Sequence, residues 1–154
     1  MTQHTLEAAV AQNRADRSAA YIALSDLEDA LEAPGPGRES AWLDTVINAL
    51  DSFVAALDEQ ARHNHEPKSL FSQIAAEQPR FEYQINALEN ELDTLAAAEQ
   101  SLRNQIKAQS AQPEIDVQDV RTRLAELDSR YRIHRARETD LVYEATNVDI
   151  GGKG

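Results

Sequence analysis

Apolar residues recur along this chain at three- and four-residue intervals, in four long blocks separated by proline-bearing breaks. That spacing is the signature of amphipathic helices. In the first block Val10, Ala20, Leu24, Leu27 and Leu31 share one stripe with Asn13 and Arg17. A helix over 5–32 follows, polar on its inward side through its first half. Pro34-Gly35-Pro36-Gly37 ends it, because proline lacks the N–H that a helix interior needs and glycine favours turns.

In the second block Trp42, Leu43, Val46, Ile47, Leu50, Phe53, Val54 and Leu57 make the wide apolar face of a core helix, with Ser40 as its N-cap. The face turns polar at Arg62-His63-Asn64-His65-Glu66, and Pro67 breaks the helix. Residues 69–77 read as a short helix that packs Leu70, Phe71 and Ile74 on one end of the molecule. The third long helix begins at Pro79, suited to a first helical turn, and runs to Gln109. It would reach roughly 45 Å at about 1.5 Å per residue. Its seam is Phe81, Ile85, Leu88, Leu92, Leu95, Leu102 and Ile106, interrupted by Glu99. The fourth starts at the N-cap Asp116 and ends near Thr146, with Val117, Val120, Leu124, Leu127, Tyr131, His134, Glu138, Leu141 and Ala145 on its seam.

The expected fold is all-α: an up-down-up-down four-helix bundle over residues 1–146, with a short extra helix between helices 2 and 3. Residues 147–154 are expected to form a flexible C-terminal tail from which only Val148 and Ile150 pack on the surface. In that topology the start of helix 1, the end of helix 2, the start of helix 3 and the end of helix 4 meet at one end. The polar seam residues Asn13, Arg17, Arg62 to Glu66, His134 and Glu138 all lie in those segments. Leaving such groups buried and unpaired costs several kcal/mol, so they are expected to pair with each other, with water or with an ion.

Composition narrows the chemistry. The 154 residues carry 15 basic and 27 acidic side chains, a net charge of −12, which disfavours nucleic acid and anionic membrane as partners. No cysteine is present, so disulfides, zinc–thiolate centres and iron–sulfur clusters are excluded. No apolar run approaches membrane-spanning length, and residues 1–9 lack the basic and apolar regions of a signal peptide, so a cytoplasmic protein is expected. No Gly-rich phosphate loop or nucleophile elbow occurs, and no enzymatic activity is expected.

Inward carboxylates and histidines one turn apart are how helical bundles build iron sites. Three stretches resemble the hemerythrin-like (HHE cation-binding) domain family: Arg62-His63-Asn64-His65-Glu66-Pro67-Lys68-Ser69-Leu70-Phe71; Pro79-Arg80-Phe81 through Leu88-Glu89-Asn90-Glu91-Leu92; and His134-Arg135-Ala136-Arg137-Glu138 through Ala145. Of the ligands that this resemblance implies, Glu66, His134 and Glu138 remain, with His63 and His65 close by but out of phase. Arg62 stands at the histidine position of the second helix, Leu88 and Leu92 stand where the family has a histidine pair, and Asn13 or Arg17 replaces the histidine of the first helix. A guanidinium has five donors and no acceptor, so it fills a cation's place instead of ligating one. The resemblance therefore implies a bundle without its di-iron site and without a cofactor, in which Asn13, Arg17 and Arg62 belong to a metal-replacing network. Its role would be structural, binding or regulatory. The alternative is an iron protein sensing or carrying oxygen or nitric oxide through Glu66, His134 and Glu138, helped by His63 or His65. Arg130, Arg132, Arg135 and Arg137 suit a solvated face, or an acidic protein partner or second copy of the chain.

Overall fold

The structure, a computed structural model, describes residues 3–151, and the side chains of residues 5–147. All its regular elements are helical: α1 (Gln3–Ala30), α2 (Glu39–Asn64), α3 (Leu70–Glu77), a 3-10 turn (Pro79–Phe81), α4 (Glu82–Gln109) and α5 (Val117–Gly151). Several boundaries have a local cause. Gly37, at φ +79°, turns the chain between α1 and α2 in a conformation that costs a glycine little. The Ser69 hydroxyl accepts the Ser72 amide and caps α3, and an Asp116 carboxylate oxygen accepts the Asp119 amide at 3.0 Å at the start of α5. Ser40, the expected cap of α2, lies inside the first turn instead; the cap position is Arg38, whose side chain makes no capping bond. The last helix passes the expected end at Thr146 and reaches Gly151, since no proline or glycine interrupts it earlier. Packing of Val148 and Ile150 lies outside the described side chains, as do residues 152–154 altogether.

α1 packs on α2, α2 on α4, and α4 on α5. Long side chains join α5 to α1 and the turn that follows it: Arg121 Nε donates to the Leu31 carbonyl at 2.8 Å, Arg132 is bonded to Glu28, and Arg17 to Thr139. The apolar stripes close into two separate cores. The larger gathers Leu24, Leu27, Leu50, Phe53, Leu57, Leu92, Leu95, Leu124 and Tyr131, with Phe53 and Tyr131 edge to face at 5.1 Å. The smaller gathers Ala9, Leu70, Phe71, Ile74, Phe81, Ile85, Leu88, Leu141 and Ala145. Burying one such Leu or Phe side chain stabilises the fold by about 1.5–3 kcal/mol. Because α3 and the 3-10 turn supply Leu70, Phe71, Ile74 and Phe81, that end is apolar. The inward polar residues therefore do not gather at the end of the molecule. They form a belt between the two cores. No helix among the described residues is long and apolar enough to cross a membrane.

Candidate functional site

The belt is built one turn at a time from the stripes that continue each core. On α5, Tyr131, His134, Glu138 and Leu141 follow one another inward, so a histidine and a carboxylate one turn apart fall between apolar neighbours. Both are fully buried, at 0% exposure. On α2 the stripe Phe53, Leu57, Gln60, Asn64 brings a carboxamide to the same level, and on α1 Asn13 and Arg17 stand one turn apart. Gln60, Arg17 and His134 converge on Glu138. Gln60 Nε2 donates to Glu138 Oε2 at 2.8 Å. Arg17 Nε lies 3.9 Å and His134 Nε2 3.4 Å from Glu138 Oε1, close enough for ion pairing but outside good hydrogen-bond geometry. Arg17 is anchored by its Nη2, which donates to the Thr139 hydroxyl and to the Arg135 carbonyl.

His134 continues the chain of contacts outward. Its Nδ1 lies 2.6 Å from Glu91 Oε1, and Glu91 Oε2 accepts a bond from Arg137 Nη1 at 2.9 Å. The imidazole thus stands between two carboxylates, one buried and one at the surface. Burial alone pulls its pKa down, but the close Glu138 carboxyl group, then the hydrogen bond and charge of Glu91, outweigh this, and the pKa lies above the ordinary histidine value. The site is best described as a buried carboxyl group, Glu138, faced by a guanidinium, an imidazole and a carboxamide. Next to it the Tyr131 hydroxyl is buried without a hydrogen-bond partner; burial, then the Glu138 charge, push its pKa up.

Of the residues singled out in the sequence, the structure brings together Arg17, His134 and Glu138, with buried Asn13 one turn from Arg17. It does not bring in Glu66, Arg62, His63 or His65. Arg62 and Glu66 pair with each other at 3.4 Å with side chains 61% and 52% exposed, and Arg62 also bonds Glu59. His63 Nδ1 sits 2.9 Å from Asp16 and its Nε2 3.1 Å from Glu59. His65 lies against Glu89 and Asp93 of α4. For Arg62 the reason is phase: the buried face of α2 passes through residues 57, 60 and 64, and position 62 points roughly 200° away from 60 and from 64, whereas His65 and Glu66 lie beyond the end of the helix. Leu88 and Leu92 are buried as expected and bring no donor atom. Among the described residues no three His, Asp or Glu side chains are grouped so as to hold a metal ion.

The basic run on α5 is largely occupied within the chain. Arg132 holds Glu28, Arg137 holds Glu91, and the Arg135 guanidinium lies 4.5 Å from the centre of the Tyr21 ring.

A second buried polar cluster lies away from the belt, where α4 meets α5. Glu99 of α4, at 0% exposure, and Asp128 of α5, at 2%, meet inside the larger core, and none of their four oxygens has a donor. In the sequence Glu99 is legible only as a break in a seam. Asp128 gave a weaker signal, since it adjoins Leu127 and lies one turn from both Leu124 and Tyr131. Gln60 could have been found by extending the Phe53–Leu57 stripe one turn. Glu91 could not, because it reaches His134 from the flank of α4.

Comparison of the chain with protein-family models, curated proteins and solved structures found no match.

Proposed function

We propose that this chain is a non-enzymatic, hemerythrin-like four-helix bundle of up-down-up-down topology, with α3 as the inserted short helix, in which side chains have replaced a di-iron site. It would act as a structural, binding or regulatory module. The observation that carries this reading is Arg17 against Glu138. A guanidinium, with five donors and no acceptor, occupies the cationic position beside the inward His-x-x-x-Glu pair of α5. Gln60, a neutral carboxamide, faces the same carboxylate from α2. Leu88 and Leu92, buried on α4, offer no lone pairs. The order of helix contacts and the Arg121–Leu31 and Gln78–Ala145 links support the bundle topology.

The competing reading, an iron site for oxygen or nitric oxide, draws on Glu66, His134 and Glu138. It is disfavoured because Glu66, just past the end of α2, pairs with Arg62 at the exposed surface. Elemental analysis after expression in iron-supplemented medium, followed by anaerobic iron(II) titration, separates the two. The proposal expects well under one iron per chain and no oxo-iron absorption. Stoichiometric iron, lost in Glu138→Ala, would overturn it.

A further inference from the structure

The buried carboxyl pair on the α4–α5 seam has no part in the proposed function, and its geometry is unusual. Glu99 and Asp128 are neighbours across the packed helices α4 and α5, both buried beside the larger core, and no amide, hydroxyl or cation donates to any of their four oxygens. Two carboxylates cannot both be ionised at contact distance in a low-dielectric interior. One carboxyl group keeping its proton, and donating it to the other, satisfies oxygens that otherwise have no partner. We infer that the Glu99–Asp128 pair is a proton-held latch: a shared proton keeps α5 seated on α4, and loss of that proton to solvent frees the seam.

The groups facing the pair set its direction. On α1 stands Glu28, whose charge holds the proton on Asp128. On α5 Arg132 works the other way, but it is itself bonded to Glu28. α2 contributes Asp51, which holds Arg103 one turn along α4 from Glu99. Burial, then the neighbouring Asp128, push Glu99 up to about 9. Burial likewise raises Asp128, to about 7, though the hydrogen bond from Glu99 works against it. Both folded values exceed those of the free side chains. The latch therefore contributes fully below the unfolded carboxyl range and is lost as pH rises through about 7 to 9. The helix it releases is also the one carrying His134 and Glu138. The latch does not depend on how the belt relates to iron.

Infrared spectroscopy and stability measurements test this together. At neutral pH the wild-type chain should show the carbonyl band of a protonated, solvent-shielded carboxylic acid. The band should fade as pH is raised past about 9 and be absent from E99Q/D128N. Between about pH 7 and 9 the pair should steepen the fall of the wild-type folding equilibrium constant by about ten-fold per pH unit, the slope of one linked proton. E99Q/D128N should lose that slope, and so should E99L/D128L, which keeps the test open if the amide pair folds poorly. Amide exchange, corrected for its intrinsic pH dependence, should rise first over residues 124–131. Absence of the acid band at neutral pH, or a wild-type slope in both double variants, would overturn the latch.

Discussion

Replacing Arg17 by methionine isolates the interaction on which the belt depends. Methionine keeps the stem's apolar packing and removes the guanidinium, so Glu138 Oε1 retains only His134 Nε2 at 3.4 Å while Oε2 keeps Gln60 at 2.8 Å. Deleting one partner of a fully buried ion pair costs about 3–5 kcal/mol. Here the separation is 3.9 Å, the Arg17 side chain keeps 14% of its exposure, and two other groups still serve the carboxylate. Thr139 loses a donor but keeps its own bond to the Arg135 carbonyl at 3.0 Å. The expected loss is about 2–3 kcal/mol, lower than the full burial figure because the remaining charges and partial solvent access compensate. Urea unfolding followed by circular dichroism reads it as a fall in the midpoint at constant slope. In R17M/E138Q both charges are gone, and part of the loss should return as a coupling energy of about 1–2 kcal/mol. A cost below about 0.5 kcal/mol, or strictly additive single variants, would refute the claim that the guanidinium neutralises this carboxylate.

Three further outcomes follow from the same geometry. The raised His134 pKa means that the folded chain holds a proton the unfolded chain has released. Its contribution is complete below the ordinary histidine value and is lost as pH rises through the folded one; H134Q should remove that component of a stability–pH profile. Tyr131→Phe removes a buried hydroxyl that has no partner and should be neutral or stabilising by up to about 1 kcal/mol in thermal unfolding, where a loss above about 1 kcal/mol would show that the hydroxyl is bonded. Glu66→Ala, on an exposed pair with Arg62, should change stability by less than about 0.5 kcal/mol in the same assay, and a larger loss would place Glu66 in the belt.

Periodicity made the four long helices and the short α3 legible, and it correctly turned Arg17, His134 and Glu138 inward. It failed where a composite motif outweighed phase. The stretch Arg62 to Glu66 drew attention by its residue types, yet the stripe through Phe53 and Leu57 reaches Gln60 and Asn64, both buried, and leaves Arg62 and Glu66 outside. The level of the belt along the helices is not legible in the sequence for a different reason. Leu70, Phe71 and Phe81 sit on local elements whose docking is a tertiary matter, and they cover the end where polar groups had been expected. Pairings such as Glu91 with His134 or Glu99 with Asp128 join residues more than 25 positions apart, and the spacing of one helix carries no information about which residue of the next will face it.

A crystal structure with diffraction collected on both sides of the iron absorption edge tests the central claim most directly, since it places the Arg17 guanidinium and any metal in one experiment. The expected result is Arg17 against Glu138, with Gln60 on the other oxygen and no anomalous peak within reach of His134. An anomalous peak ligated by His134 and Glu138, with Arg17 turned away from the core, would contradict the account.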